Sequence, residues 1–192
     1  MRAPARGFTL VEAVVAVGII LMMAAVAFPA FRPMFAEAHV LGAGRAFKSQ
    51  FRLAASIAVR SSVYTAIRFE KRGTDVWYAV YQDGNNNGIR AVDITTGKDR
   101  RISGPFPLTS GAPGVRVGFN PGVPALPPDS GILTGDPIRF GTSDTLSFSP
   151  LGTATPGTFY LAGDSAQAAV RVTGGSARVR LMVWRGGKWI ER

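Results

Sequence analysis

The sequence predicts an α+β protein in which one long N-terminal helix packs against a mostly antiparallel β domain. Residues 8–31 form an almost uncharged apolar segment, and residues 47–59 place apolar side chains at helical spacing. After Ser62 the chain changes to short β-branched and aromatic runs that are separated by glycine-rich turns. The 192 residues suffice for one such helix and one modest domain with its own core.

The N-terminal segment begins with a short basic leader, residues 1–7, followed by the apolar segment Phe8–Phe31. A helix of 24 residues spans roughly 36 Å, which is enough for the hydrocarbon core of a bilayer. In a secretory signal the small-residue cleavage site follows the apolar region, whereas here Gly7 precedes it. We therefore expect a single transmembrane helix that is retained after processing.

Glu12 is the one charged residue of the apolar segment. An ionised carboxylate inside a membrane costs on the order of a few kcal/mol unless another group pairs with it, so such residues usually have a function. An ordinary membrane anchor with an incidental glutamate is the alternative. Two arginines precede the helix and favour a cytoplasmic N-terminus, although Arg32 beyond it reduces the charge difference.

The helix is predicted to bend or break near its two prolines, Pro29 and Pro33, because proline removes a backbone hydrogen bond. Beyond them, residues 32–62 predict an amphipathic continuation of the same helix. Its apolar stripe, expected to pack against a sheet, consists of Phe47, Phe51, Ala54, Ala55, Ala58 and Val59.

A β-rich domain is predicted for residues 63–192. The predicted strands are 63–69, 76–81, 145–148, 158–161, 169–172, 178–183 and 188–190. Residues 103–141 differ, because eight Gly and eight Pro in 39 residues are too many for regular core elements. We expect a long loop there with one short strand at 115–119, and a disordered insertion is the alternative.

The turn after the second predicted strand resembles the first half of an EF-hand calcium loop, with oxygen-bearing side chains at Asp83, Asn85 and Asn87. The second half does not fit, because Ile94 occupies the position of the bidentate glutamate and no helix pattern frames the loop. An Asn/Gly-rich hairpin turn is the interpretation we favour, with a calcium site as the alternative.

Composition argues against catalysis. The chain has no cysteine and one histidine, His39, which we expect at the surface. Carboxylates are scattered rather than paired, and the glycine-rich stretches lack the context of a phosphate loop. We therefore expect no enzyme activity, no cofactor and no small-molecule substrate.

The chain is strongly basic, with a formal net charge of +10, or +8 without the leader. Part of the surplus lies near the C-terminus, where Trp184 and Trp189 stand among basic residues. Basic side chains with interleaved aromatics can track phosphates and stack bases. The candidate DNA-binding residues are Arg171, Arg178, Arg180, Arg185 and Lys188. The alternatives are an arginine-rich surface without a ligand and a docking face for an acidic partner.

The segment Gly7-Phe-Thr-Leu-Val-Glu12, behind a basic leader, strongly resembles the class III signal of type IV pilins and type II secretion pseudopilins. The resemblance implies that a prepilin peptidase cuts after Gly7 and N-methylates Phe8. It also implies that Glu12 pairs with the N-terminal amine of a neighbouring subunit during filament assembly. A proline at the place of Pro29 is common in this family, and its fold is a long helix wrapped by a small β domain.

Later motifs resemble the minor pseudopilins of the GspH and FimT type. They include the Arg/Ala-rich helix end at 51–68, the Asp-Asn-Gly turn at 81–90, the late strands at 148–152 and 157–161, and Arg178-Val-Arg180. Two features depart from the family pattern: Ala177 replaces a usual glycine, and the tail after Leu181 is long.

The resemblance implies a structural subunit of a type II secretion pseudopilus or related type IV filament. Such a subunit sits in the inner membrane, with its C-terminal domain in the periplasm or outside the cell. Its partners are the prepilin peptidase, other pilin or pseudopilin subunits and the membrane. The alternative is a FimT-like minor pilin that binds DNA during natural transformation through Arg178, Arg180 and their neighbours.

Overall fold

The computed structural model describes residues 7, 9–73 and 75–192. The chain divides into two compact units, one ending at Phe35 and one running from Ala36 to Arg192. Helix α1, Leu10–Ser61, supplies the described helix of the first unit and begins the second. It ends where Ser62 takes a positive φ of 57°, the left-handed conformation common just beyond helix C-termini.

The first unit contains the apolar half of α1. Its stretch Leu10–Pro29 is long and apolar enough to cross a membrane, and none of it is buried within the chain. Large apolar surfaces exposed in this way mark contact sites for a membrane or for other proteins. Helix α1 continues without interruption through Pro29 and Pro33, so a break there is wrong, whereas a bend at Pro29 stays a prediction.

The second unit consists of the rest of α1, a short helix α2 and ten strands in two antiparallel sheets. The first sheet has the order β3-β2-β1-β6, and the second has the order β10-β9-β8-β7-β4, with β5 also pairing with β7. The elements are β1 Thr65–Arg72, β2 Asp75–Gln82, α2 Ala91–Thr95, β3 Arg100–Pro107, β4 Arg116–Val117, β5 Ile138–Phe140, β6 Thr145–Phe148, β7 Gly157–Ala162, β8 Gln167–Val172, β9 Val179–Arg185 and β10 Lys188–Glu191. The predicted α+β class, with a long helix and antiparallel sheets, is confirmed.

The core lies where α1 meets both sheets. The Phe47 ring lies 5.6 Å from Tyr78 of the first sheet and 5.1 Å from Phe159 of the second, measured between ring centroids. Gly44 lets the helix approach the second sheet, because a Cβ there would meet Leu181 Cδ1 at 2.5 Å. The predicted stripe is buried at Phe47, Phe51, Ala54 and Ala58. Val59 does not belong to it, because 53% of that residue is exposed.

Most of the predicted strands occur, but β3, β5 and α2 were not predicted. Strand β3 contains Gly104, Pro105 and Pro107, which read as turn residues in the sequence. Proline is tolerated on an edge strand, and β3 is the edge of its sheet with an irregular register against β2. The predicted tight hairpin at 83–88 is wrong. These residues begin a longer connection between β2 and β3, residues 83–99, which contains α2.

The Gly/Pro-rich segment 103–141 is packed chain, which contradicts the alternative of a disordered insertion. It contains the end of β3 and the short strands β4 and β5, and β4 lies within the strand predicted at 115–119. Residues 119–133, called the cover segment below, pack on the face of the second sheet that points away from α1. Their contacts form a second core, which includes Leu126 and Leu133 from the cover segment with Tyr160, Ala169 and Met182 from the sheet.

Candidate functional site

Helix α1 begins with a reciprocal capping box between Thr9 and Glu12. The Glu12 N–H donates to Thr9 Oγ1 at 3.2 Å, while Glu12 Oε2 accepts from the Thr9 N–H at 3.3 Å and from the Thr9 hydroxyl at 3.2 Å. These bonds satisfy N–H groups that have no partner inside the helix. The Thr-x-x-Glu spacing was the sequence signal for this role, and the prediction for Glu12 did not include it.

The same bonds leave part of the Glu12 carboxylate free. The two bonds that the carboxylate accepts both use Oε2, and within the described part of the chain Oε1 accepts no hydrogen bond. The arrangement fixes the position of a negative charge that can still accept from a cation outside the chain.

Gly7 lies two residues before Thr9 in the sequence and is exposed. A Cβ at Gly7 would meet no atom within 4 Å, so the chain itself does not require glycine there. Phe8, the predicted site of N-methylation, lies outside the described residues. Cleavage after Gly7 and methylation of Phe8 therefore stay predictions.

The Asp83 turn is closed by carboxylates that accept backbone N–H groups. Asp83 Oδ1 accepts from Asn85 and Asn86, both at 2.9 Å, and Asp83 Oδ2 accepts from Gly88 at 2.7 Å. Asp99 accepts from the N–H groups of Gly84 and Arg90 at 3.4 and 2.9 Å. The Asp83 carboxylate thus stabilises the turn. Its oxygens accept backbone N–H groups, whereas in a calcium site they would bind the cation.

Asn87 completes the turn through Asp93 of α2, whose Oδ2 accepts from Asn87 Nδ2 at 3.1 Å. This hydrogen bond is the main reason that the pKa of Asp93 lies below its usual value. Contrary to the sequence expectation, a helix does follow the turn. Among the described residues, no group of three or more His, Asp or Glu side chains could hold a metal ion.

The five candidate DNA-binding residues lie on two different faces of the second sheet. Val179, Leu181 and Val183 of β9 point into the core beneath α1, so Arg178 and Arg180 share the opposite, outer face, as predicted. Arg185 and its cross-strand partner Lys188 lie on the α1 side, where Arg185 Nε is 3.8 Å from Glu37 Oε2. The structure therefore does not unite the five side chains in one surface.

Trp184 and Trp189 are also placed differently from the prediction. They form a cross-strand pair, with ring centroids 5.6 Å apart, and pack against the second core beneath the cover segment. The indole N–H of Trp189 donates to the Pro124 carbonyl at 3.1 Å. These rings hold the cover segment instead of forming an open surface for base stacking.

Arg171 fastens the other part of the cover segment. Its guanidinium donates to Thr158 Oγ1 at 2.9 Å, to the Leu126 carbonyl at 3.1 Å and to Asp129 Oδ2 at 2.5 Å, and also to the Pro127 carbonyl. Only 11% of the Arg171 side chain is exposed. Its donors are used within the chain, so Arg171 is a structural residue in this arrangement and not an open phosphate contact.

Arg178 and Arg180 differ in exposure. The Arg178 side chain is 67% exposed and lies 3.5 Å from the Glu191 carboxylate. Arg180 is half-buried and lines a cavity of about 550 Å³ on the outer face, together with Arg139, Arg171, Thr158 and residues of the cover segment. Among the three candidate arginines of the outer face, Arg178 is the most exposed, whereas Arg171 and Arg180 are partly or mostly buried.

Comparison with known families gives two matches. Residues 2–28 match the family model described as prokaryotic N-terminal methylation motif, and residues 43–177 match the one described as type II transport protein GspH. The second match covers more than two thirds of the chain and ends just before Arg178. Neither a search of curated proteins nor a search of solved structures gave a significant match.

Proposed function

The chain belongs to the GspH family of type II transport proteins, and we propose that it is a minor pseudopilin of a secretion pseudopilus. In this role a prepilin peptidase removes residues 1–7 and methylates Phe8, and the mature chain assembles with other pilin or pseudopilin subunits. The second unit, 36–192, then lies in the periplasm or outside the cell, with the apolar helix anchored in the inner membrane.

The observation that supports this proposal most strongly is the set of features found together in the N-terminal half of α1. It combines a methylation-motif match, a helix long enough for a membrane with no residue buried in its own chain, and a carboxylate held at its first turn. Such a helix needs an apolar environment and a positive partner, and a filament of like subunits supplies both. The GspH family is structural rather than enzymatic, which agrees with an assembly role.

Replacement of Gly7 by valine should accumulate the unprocessed chain. The expected reason lies in the peptidase, because a Cβ at Gly7 meets nothing in the chain itself. The measurement is the mass of the membrane-extracted protein, with Gly18→Val as the control, since Gly18 also has no neighbour within 4 Å. Normal loss of residues 1–7 in Gly7→Val would contradict the proposed processing.

DNA uptake is the second candidate function. The observations that favour it are the net charge of +10 and the exposed Arg178 guanidinium. The division of the basic residues between two faces limits the surface that one duplex could contact, and the GspH match ends before Arg178. The two functions differ in whether these arginines bind phosphate.

The Arg178→Ala/Arg180→Ala variant separates the two functions in a salt-titrated DNA-binding assay on the full-length chain in detergent. If DNA uptake is the function, binding falls steeply with salt in the native chain, because phosphate contacts release counterions, and the double variant loses it. Arg185→Ala/Lys188→Ala is the matched control, with the same charge change on the opposite face. No binding at about 0.1 M salt, or equal loss in both variants, would leave secretion as the function to pursue.

A further inference from the structure

The cavity beside the cover segment carries a cationic group that the chain itself does not neutralise. Its walls combine the guanidinium groups of Arg139, Arg171 and Arg180 with apolar surface from Pro128 and Pro156. Its volume of about 550 Å³ lies in the range of ligand pockets in proteins.

Two of the three arginines already donate hydrogen bonds to acceptors within the chain. Arg171 binds Asp129 and the carbonyls of the cover segment. Arg139 donates to the carbonyls of Thr134 and Asp136 at 2.6 and 3.0 Å, and its guanidinium lies 5.6 Å from the Tyr160 ring centroid. Both side chains are therefore fixed parts of the wall.

Arg180 differs from them. Its Nε is buried and has no hydrogen-bond partner among the described residues, and no carboxylate in the described chain lies within 4.0 Å of its guanidinium. Arg180 stands directly opposite Arg171 in the β8–β9 register. Like charges opposite each other are destabilising, and no carboxylate of the described chain offsets them at Arg180, so this position favours an added anion at the Nη groups.

We propose that this cavity binds the carboxylate of an acidic side chain on a partner protein, with Arg180 as the ligand-binding residue. A planar carboxylate can accept two parallel N–H bonds from one guanidinium, and the proline walls suit the methylene groups of a glutamate or aspartate. This inference goes beyond the proposed filament role and does not depend on it.

A carboxylate fits better than a nucleic-acid backbone. One guanidinium in a recess can match one anion, whereas a duplex presents one charge per about 1.7 Å and requires a row of accessible cations. Arg185 and Lys188 lie on the opposite face, so they cannot extend the cavity into such a row. Local charge complementarity thus selects a single acidic side chain.

The test uses the full-length chain in detergent, labelled with ¹⁵N. It follows the Arg180 Nε–Hε resonance in the native chain, and the Nε–Hε resonance of Arg171, which lines the same cavity, reports binding in every variant. N-acetylglutamate serves as the carboxylate probe, and inorganic phosphate and sodium chloride are titrated at matched ionic strength. We expect N-acetylglutamate to shift this resonance saturably, with a Kd about tenfold lower than in Arg180→Gln, which corresponds to one charge-assisted interaction.

Arg185→Gln is the matched control and should bind the probe as the native chain does, because Arg185 lies on the α1 side of the sheet. An Arg180 resonance that responds equally to chloride would overturn the proposal, as would saturable binding by phosphate alone. Binding that persists unchanged in Arg180→Gln would also overturn it. The native titration remains decisive even if a variant does not fold.

Discussion

Glu12→Ala is expected to abolish incorporation of the chain into filaments while leaving removal of residues 1–7 intact. The variant loses the charge that would pair with the amine of a neighbouring subunit, and an ionic partner inside a membrane has no solvent to replace it. It also loses the reciprocal cap with Thr9. The measurement is the amount of the chain in sheared filaments relative to the processed chain in the membrane.

Two further variants separate the charge from the cap. Glu12→Gln keeps an N3 side chain that can complete a capping box but removes the charge, so it should fail to assemble like Glu12→Ala. Thr9→Ala removes the capping hydroxyl and keeps the charge, so it should assemble at a reduced level. Normal assembly of Glu12→Gln would show that capping, and not charge pairing, is the role of Glu12.

Arg171→Ala should cause the largest loss of stability in the second unit. It removes a mostly buried guanidinium that holds four acceptors, so we expect the free energy of unfolding to fall by about 2–4 kcal/mol. This range is below that for a fully buried pair, because Asp129 is 46% exposed. Urea denaturation of the full-length chain in detergent measures the change.

Hydrogen exchange shows whether the loss is located as expected. In Arg171→Ala, residues 119–133 should exchange faster, because Leu126 and its neighbours lose their contact with β8. Arg178→Ala is the control: its exposed side chain should change stability by no more than about 0.5 kcal/mol. An Arg171→Ala variant with native stability and native exchange would show that the cover segment does not depend on Arg171.

Periodicity in the sequence was sufficient for the main elements. The stripe through Phe47 and Phe51 correctly placed α1 against the sheets, since helical spacing identifies a buried face without knowledge of its partners. Strand β3 was missed because prolines that break a central strand are tolerated at an edge, and edge position depends on strand order. Strand β5 and helix α2, with three and five residues, are too short to give a period.

The site was less predictable, because its contacts join distant parts of the chain. The outer-face pairing of Arg178 and Arg180 followed from strand alternation. The role of Arg171 in fastening the cover segment did not follow from any sequence pattern. Its carbonyl acceptors, Leu126 and Pro127, lie 45 and 44 residues earlier in an irregular segment. By contrast, the Thr9–Glu12 cap is local, and its Thr-x-x-Glu spacing is a sequence signal that the prediction for Glu12 did not use.

The cover segment has a consequence for the order of events during synthesis and export. Because the chain is synthesised from its N-terminus, residues 119–133 appear well before β9 and β10. Those two strands contain Met182, Trp184 and Trp189, which pack against the cover segment. The Pro124 carbonyl is hydrogen-bonded by the indole of Trp189, which lies 65 residues later in the chain. Until then the apolar side chains of the cover segment lack their contacts with Met182, Trp184 and Trp189 and are open to aggregation or to a chaperone. Closure of the second unit is therefore a late step that β10 completes.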